Sequence, residues 1–279
     1  MNRPVCVCSG VALLLAAVTA APAASPFKDK KLEAAVQTEL RLAKPDFKDD
    51  DLAKLAILNV SGKGIKDLTG LEKCKGLADL NLHKNEVSDL KPIKDLPILQ
   101  TLDLSDNKIS DITPLAGLTK LQRLELSNNQ VSDLKPLAKL TAMASLYLTN
   151  NKIKDIGPLT GLTKLASLSV DKNQVSDLKP LAKVNRIMTL VLSENQISDV
   201  TPLTSQTEVT KLLLQKNKIT DLTPLVKWAK TDADGAKRFA PYLELYLAGN
   251  PLSDDAKTKQ VAALKSAGVR IKDLDKTKK

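Results

Sequence analysis

The sequence of 279 residues predicts an α/β fold, a right-handed solenoid of stacked repeats with a parallel β-sheet on its concave face. Three observations support this prediction. One asparagine recurs every 22 residues, the apolar content of 43% includes only 3% aromatic residues, and leucines alternate with polar residues at the same place in each repeat. A core of many small aliphatic side chains suits a stacked architecture better than a single globule. We expect short 3₁₀ or extended segments on the convex face and helical caps at both ends.

The recurring asparagine sets the period and follows a strand. It occurs in seven consecutive repeats, at Asn85, Asn107, Asn129, Asn151, Asn173, Asn195 and Asn217. Lys63 has the same phase one repeat earlier. Before the asparagine, the alternation in Leu102-Asp103-Leu104 places two leucines inward and a polar side chain outward, which is typical of a strand with one solvated face. Because an amide both donates and accepts hydrogen bonds, we expect the asparagine to satisfy backbone groups beside the sheet.

An aspartate follows four residues after the asparagine position in every repeat, and a proline usually follows three residues later. The aspartates are Asp67, Asp89, Asp111, Asp133, Asp155, Asp177, Asp199 and Asp221. The prolines are Pro92, Pro114, Pro136, Pro158, Pro180, Pro202 and Pro224, with Gly70 at this position in the first repeat. An aspartate that accepts backbone N–H groups, followed by the restricted φ of proline, predicts a tight turn into the convex segment. We therefore interpret the aspartates as scaffold residues, not as catalytic groups.

The sequence outside the repeats predicts a cap at each end of the array. Residues 24–54 form the N-terminal helical cap, in which Asp29 is placed to cap a helix. The repeat array covers residues 55–252. Residues 253–279 form a C-terminal helical cap that starts at Ser253 and ends in a basic tail.

One interruption breaks the period of 22 residues. The spacing from Asn217 to Asn250 is 33 residues, which places an insertion at residues 227–241. We expect this insertion to form a helix and a loop. Trp228 occupies the position that Leu118 has in its repeat, so we interpret Trp228 as a core residue.

The first 23 residues differ from the rest of the chain and predict a secretory signal peptide. A basic start at Arg3 precedes an apolar run from Val5 to Ala20, and cleavage is expected after Ala20 or Ala23. The alternative is an uncleaved membrane anchor, since the apolar segment is just long enough to span a bilayer. Only Cys74 lies outside this segment, so the processed chain has no internal disulfide partner for it. We expect the protein to be secreted or to lie in the periplasm or cell envelope.

The repeats share one consensus, L-x-x-L-x-L-x-x-N-x-I/V-x-D-L-x-P-L-x-x-L. One example is formed by Leu99, Leu102, Leu104, Asn107, Ile109, Asp111, Ile112, Pro114, Leu115 and Leu118. This pattern resembles the leucine-rich repeat family, in particular the 22-residue type found in bacterial internalins and in a regulatory subunit of type-1 serine/threonine phosphatases. The resemblance covers about residues 28–274. It implies a non-enzymatic protein that binds other proteins through its concave face.

The outward strand positions, which the consensus leaves free, form the expected binding surface. We expect a protein or peptide ligand along it, with an apolar anchor and a region of charge pairing. The candidate anchor residues are Met188, Val191, Leu213 and Tyr246. The other candidate contacts are Asn81, His83, Asp103, Asp106, Arg123, Glu125, Tyr147, Asp171 and Lys211. The alternative is a solvated sheet that tolerates Val, Leu and Tyr because they suit strands, since exposed apolar residues are informative only as a contiguous patch.

The sequence argues against enzymes, metal sites and nucleic-acid binding. With a single histidine, His83, a multi-histidine metal site is excluded, and no zinc or calcium ligand spacing occurs. A grouping of His83, Ser105 and Asp103 is conceivable, but strand neighbours on an open sheet provide no oxyanion hole. The net charge is +10, but the lysines alternate with aspartates, and aromatic residues for base stacking are nearly absent. We therefore expect no cofactor and no nucleic-acid partner.

The functional prediction is an exported monomer that binds an unidentified protein or peptide on its concave face. If the N-terminal segment is not a signal peptide, the alternative is an intracellular regulatory scaffold like the phosphatase subunit. A third hypothesis is an envelope-associated structural protein that contacts anionic surfaces weakly, helped by Lys276, Lys278 and Lys279.

Overall fold

A computed structural model describes residues 25–274 of the chain. The predicted signal peptide at residues 1–23 and the basic residues 276–279 lie outside the described residues. Within them, the chain forms one parallel sheet of ten strands that follow each other in sequence order. No helix between residues 25 and 274 combines the length and the apolar character needed to cross a membrane.

Each repeat contributes one short strand to this sheet. The strands are β1 Ile57–Asn59, β2 Asp79–Asn81, β3 Thr101–Asp103, β4 Arg123–Glu125, β5 Ser145–Tyr147, β6 Ser167–Ser169, β7 Thr189–Val191, β8 Lys211–Leu213, β9 Glu244–Tyr246 and β10 Arg270–Ile271. Neighbouring strands pair without a shift, so that Leu102 of β3 lies beside Leu124 of β4. The predicted solenoid with a parallel sheet is therefore confirmed.

The convex side consists of short 3₁₀ segments, as the sequence predicts. They span Leu71–Lys73, Lys91–Ile93, Thr113–Gly117, Lys135–Leu137, Gly157–Gly161, Lys179–Lys183 and Thr201–Ser205. In all eight repeats the aspartate before this region accepts a hydrogen bond from the backbone N–H two residues later. For Asp111 and Thr113 the distance is 2.8 Å. The aspartates therefore shape the turn into the convex side.

The asparagine side chains link consecutive repeats. The Nδ2 atom of Asn173 donates to the carbonyl of Val170 at 3.0 Å and to that of Leu148, one repeat earlier, at 2.8 Å. Its Oδ1 atom accepts from the backbone N–H of Ile153 at 3.0 Å. Asn173 is buried, as are the aliphatic positions of the consensus around it. The amide thus uses both its donor and its acceptor on backbone groups beside the sheet.

The N-terminal cap is tied to the array through its helix cap. Helix α1 spans Lys30–Glu39 and helix α2 spans Asp49–Ala53. Asp29 accepts two backbone N–H groups from the first turn of α1 through Oδ1. Its Oδ2 accepts from the backbone N–H of Lys66 at 2.9 Å, which joins the cap to the first repeat.

The interruption of the period falls on an α-helix and a loop. Helix α3, Thr223–Asp234, stands where earlier repeats have a 3₁₀ segment. Trp228 is only 7% exposed, its indole Nε1 donates to the carbonyl of Gln206 at 2.9 Å, and its ring stacks on Phe239 at 4.2 Å. Trp228 is therefore a core residue, as the sequence indicates.

The C-terminal cap contains a strand as well as a helix. Ser253 accepts the backbone N–H of Ala256, and a π-helical turn at Ala256–Gln260 leads into helix α4, Val261–Ser266. The chain then returns to the sheet as β10, which pairs with β9. The sequence did not indicate β10, because a strand of two residues is too short for an alternating pattern to be distinguished.

Candidate functional site

The candidate site is the concave surface, which we define by four columns of residues along β1 to β9. The two outward strand columns are Ile57, Asp79, Thr101, Arg123, Ser145, Ser167, Thr189, Lys211 and Glu244, and Asn59, Asn81, Asp103, Glu125, Tyr147, Ser169, Val191, Leu213 and Tyr246. The two columns after the strands are Ser61, His83, Ser105, Ser127, Thr149, Asp171, Ser193, Gln215 and Ala248, and Gly62, Lys84, Asp106, Asn128, Asn150, Lys172, Glu194, Lys216 and Gly249.

The charge of the concave surface differs in sign from that of the chain. Its four columns contain seven acidic and five basic side chains, a net charge of −2, whereas the whole chain carries +10. The acidic residues are Asp79, Asp103, Asp106, Glu125, Asp171, Glu194 and Glu244. The excess of positive charge therefore lies outside the concave surface.

A hydrogen-bonded polar group occupies the part of this surface near β2 to β4. Asn81 accepts the backbone N–H of His83 at 2.9 Å, and Asp103 accepts both the N–H and the hydroxyl of Ser105. The His83 Nδ1 atom lies 2.8 Å from Ser105 Oγ and 3.4 Å from an oxygen of Asp106. Because the one hydroxyl proton of Ser105 goes to Asp103, His83 Nδ1 is the donor toward Ser105. This is the reverse of the proton transfer that a serine nucleophile requires.

Glu125, Arg123 and Tyr147 continue this polar region. Burial raises the pKa of the Glu125 carboxyl, and the charge of Asp103 raises it further against the opposing hydrogen bonds from Ser127. Arg123 lies over the ring of Tyr147 at 4.7 Å and also donates to its hydroxyl at 3.4 Å. The two side chains therefore hold each other in place on the surface.

Three of the four candidate anchor residues form a contiguous patch. Val191, Leu213 and Tyr246 are half-buried and are paired in register across β7, β8 and β9. Met188 precedes β7 and is 49% exposed, so it lies at the opposite end of that strand from Val191. Lys211 is exposed at the start of β8. The patch is thus smaller than the sequence suggested, but it is continuous.

A cavity of about 410 Å³ lies beside this patch. Its lining residues are Asp171, Val191, Ser193, Glu194, Leu213, Gln215, Lys216, Ala248, Gly249 and Asp273. On one wall the Asp171 carboxylate accepts the hydroxyls of Thr149 and Ser169 at 2.7 and 2.6 Å. The apolar floor and the polar walls are the usual composition of a pocket that takes one side chain of a partner.

Asp273 is a site residue that the sequence did not reveal. It follows β10, and its Oδ1 accepts the backbone N–H groups of Leu247 and Ala248 at 2.8 and 3.2 Å. Its Oδ2 is buried and has no hydrogen-bond partner among the described residues. No sequence pattern marked this short strand, and the pairing of β10 with β9 brings Asp273 to the cavity.

The fourth column of the concave surface consists of residues with positive φ, one in every repeat. These residues are Lys84, Asp106, Asn128, Asn150, Lys172, Glu194 and Lys216, with φ between 51° and 57°. Glycines occupy the same position in the terminal repeats, at Gly62 and Gly249. Several side chains of this column contact the next one, as Asn128 does when it donates to Asp106 at 2.9 Å. In the seven repeats without a glycine, the left-handed residue thus adds a polar side chain to this column of the surface.

Groups suited to metal binding or thiol chemistry are not assembled in this part of the chain. Between residues 25 and 274, no three His, Cys, Asp or Glu side chains are grouped so that they could hold a metal ion. Cys74 is fully buried, and burial raises the pKa of its thiol to about 12. Its thiol is therefore unreactive near neutral pH.

Comparisons with known proteins agree with this architecture. A family model for leucine-rich repeats in two copies matches residues 99–139 and 141–183. Internalin C2 of Listeria monocytogenes is 36% identical, with a TM-score of 0.70 over 72% of this chain and 89% of that chain. An inlF internalin of the same species is 26% identical, with a TM-score of 0.66 over 93% and 95%. A leucine-rich repeat protein of Leptospira interrogans shares the fold at 19% identity, with a TM-score of 0.64 over 79% and 62%. No curated protein sequence matches significantly.

Proposed function

Because the chain belongs to the leucine-rich repeat proteins of the internalin type, we propose that it binds a protein or peptide partner on its concave surface after export. Leucine-rich repeat proteins in general act by protein–protein interaction. The observation that carries the proposal for this chain is the contiguous patch of Val191, Leu213 and Tyr246 beside a cavity of about 410 Å³. We propose no catalytic activity, since Ser105 donates its hydroxyl proton to Asp103.

The apolar patch supports an anchor for one large side chain of the partner. Val191 and Leu213 form both the centre of the patch and the floor of the cavity. Hot spots of protein interfaces are typically side chains that fill such a pocket while surrounding contacts exclude water. A leucine, methionine or phenylalanine side chain of the partner fits this role.

The charge of the surface supports a partner with basic residues. The polar region around Asp103, Asp106 and Glu125 is acidic, and Asp79 lies on the neighbouring strand β2 in the other outward strand column. Complementary charge increases the rate of association and fixes the orientation of a ligand. We therefore propose a partner segment that places its apolar side chain near β8 and its basic residues near β3 and β4.

The test compares two double variants of matched chemistry. Leu213→Ser with Tyr246→Ser removes the apolar patch. Ile98→Ser with Tyr242→Ser removes an aliphatic residue and a tyrosine that are 44% and 57% exposed outside the concave columns. A partner captured with the unmodified chain from its source organism is then titrated against each variant.

We expect the patch variant to bind the captured partner at least about tenfold more weakly, because loss of an anchor residue commonly costs 2 kcal/mol or more. The control variant retains the affinity. Equal affinities for both variants, or a loss in the control alone, contradict binding at the concave surface.

Export has its own test. Expression of the full chain in a bacterial host should yield a mature form that starts at residue 21 or 24, detected by intact mass in the periplasm or medium. Deletion of residues 1–23 should keep the chain in the cytoplasm. An unprocessed chain in the membrane fraction would instead support the anchor, and an unprocessed chain in the cytoplasm would support the intracellular scaffold.

A further inference from the structure

A second and larger cavity lies away from the concave surface, where helix α3 meets the last 3₁₀ segment. Its volume is about 570 Å³. The residues that define its chemistry are Thr204, Pro224, Lys227, Trp228, Arg238 and Phe239. This volume lies within the range of about 300–1,000 Å³ that is typical of small-molecule sites.

The cavity results from the change in helix type. Between earlier repeats, one 3₁₀ segment packs on another, but α3 packs on the segment Thr201–Ser205. An α-helix with its side chains is about 10–12 Å wide, so it does not continue the close stacking of the thinner 3₁₀ segments. At this junction the aliphatic core column contains Gln206 where the previous repeat has Val184. The insertion therefore opens a cleft that the regular repeats do not have.

The far wall of the cleft is held in place by a buried carboxylate. Asp232 is 8% exposed and accepts the backbone N–H groups of Arg238, Phe239 and Ala240 at 3.0, 3.0 and 2.9 Å. These bonds fix the loop after α3 in position. Phe239 belongs to this loop and its ring stacks on that of Trp228 at 4.2 Å, so these two lining side chains are held in place without a ligand.

The charged groups of the cavity favour an anion. Lys227 and Arg238 line it, and neither forms a salt bridge within the described part of the chain. The one carboxylate in the lining, Asp232, accepts three backbone N–H groups, and the nearby charge of Arg238 also helps to lower its pKa. Two cationic side chains that form no salt bridge can make charge-assisted hydrogen bonds with a carboxylate of a ligand.

The remaining walls favour a flat apolar body. Pro224, Trp228 and Phe239 are apolar lining residues, and most of the other lining residues are threonines. Lys227 and Arg238 disfavour a basic segment as the ligand. The chain's own residues 275–279, which contain three lysines, are such a segment. We propose that this cavity binds a small organic carboxylate with a flat apolar body, with the carboxylate on Lys227 and Arg238 and the body against Pro224 and Trp228.

The experiment uses two probes of equal shape and different charge, 2-naphthoate and 2-naphthamide, titrated into the protein by calorimetry. We expect the naphthoate to bind about tenfold more tightly or better, because hydrogen bonds to charged groups are stronger than neutral ones. In the double variant Lys227→Gln with Arg238→Gln this preference should disappear. Both side chains are exposed, so thermal unfolding of the variant should match that of the unmodified protein.

The Leu213→Ser and Tyr246→Ser variant separates this site from the concave surface, since it should keep full affinity for naphthoate. Three results would overturn the proposal: no measurable naphthoate binding, equal affinity for both probes, or a preference that survives in the Gln variant. Loss of naphthoate binding in the concave variant would overturn it as well. Because the probes test only the cleft at α3, each of these results leaves the proposed partner binding untouched.

Discussion

The regular array from β1 to β8 and the interrupted repeat around α3 stabilise their loops in different ways. In the array, every repeat uses the same aspartate and every repeat after the first uses the same asparagine, so the backbone groups are satisfied by many equivalent side chains. In the interrupted repeat, Asp232 alone accepts three backbone N–H groups, and Trp228 stands in the core where most earlier repeats have an aliphatic residue and the preceding one has Gln206. Residues that recur with the period therefore build the common scaffold, whereas residues that occur once build the structure that is particular to this chain.

The largest loss of stability is expected for Asp232, the carboxylate that occurs once. Asp232→Asn should reduce the free energy of unfolding by about 2–4 kcal/mol, because an amide NH₂ then faces backbone donors where a carboxylate oxygen accepted them. The matched control is Asp177→Asn, whose carbonyl oxygen can still accept the N–H of Lys179. Urea unfolding of both variants measures the comparison, and equal losses would show that the two regions do not differ.

The same residue should give a pH-dependent difference. Burial raises the pKa of Asp232, but the N–H groups of Ala240, Phe239 and Arg238 lower it more, so the net pKa lies below the ordinary value of 3.8. A depressed pKa means that the stabilisation is complete above this ordinary value and is lost as the pH falls through the lower folded value. The stability difference between Asp232→Asn and the unmodified chain should therefore be largest at neutral pH and shrink below about pH 3.8. A difference that is constant down to acid pH would exclude the carboxylate charge as its source.

A smaller loss is expected for one asparagine of the array. Asn173→Ala removes hydrogen bonds to Leu148, Val170 and Ile153 and should cost about 2–3 kcal/mol, because buried backbone groups lose partners. The control is Asn185→Ala, an exposed asparagine outside the repeating position, which should change stability by less than about 0.5 kcal/mol. If both substitutions cost the same in urea unfolding, the asparagines do not connect the repeats as described.

The junction between the two regions should gain stability from a repeat-like residue. The Oε1 atom of Gln206 is buried without a hydrogen-bond partner among the described residues. The Nε2 atom of Gln206 donates to the carbonyl of Leu181, but this carbonyl also accepts the backbone N–H of Val184. Gln206→Leu should therefore raise the free energy of unfolding by about 1 kcal/mol. Thermal unfolding checks the sign, and a clear loss would mean that the hydrogen bond to Leu181 outweighs the unpartnered oxygen.

The smallest effect is expected on the concave surface of the array. Burial, assisted by Asp103, raises the pKa of Glu125 above its ordinary value of 4.5. As the pH rises above 4.5, the unfolded chain loses this proton more readily than the folded chain, so ionisation of Glu125 destabilises the fold. Glu125→Gln should thus be slightly more stable than the unmodified chain at pH 7 and equal to it at pH 3.5. A gain of the same size at both pH values would contradict the raised pKa.

The periodic features of the fold could be predicted from the sequence because each depends on a local pattern that recurs. The asparagine and aspartate columns, the helix cap at Asp29 and the core position of Trp228 belong to this class. The left-handed column was foreseeable only in part, since Gly62, Gly249 and Asn128 favour positive φ whereas Lys and Glu at the same position do not.

The cavities and part of the candidate site could not be predicted in this way. Asp273 reaches the concave cavity through a strand of two residues, and Met188 leaves the expected patch because it precedes β7. The cleft at α3 depends on the width of a helix packed on a thinner segment, which no spacing of residue types expresses. Prediction of the concave site and of the cleft at α3 therefore requires knowledge of which residues are neighbours in space.

The order of the strands has an evolutionary consequence. Since each strand hydrogen-bonds only to the strands before and after it in sequence, a repeat can be duplicated or deleted without changing the connections of the others. The reach of the concave surface is therefore a property that the gain or loss of whole repeats can lengthen or shorten.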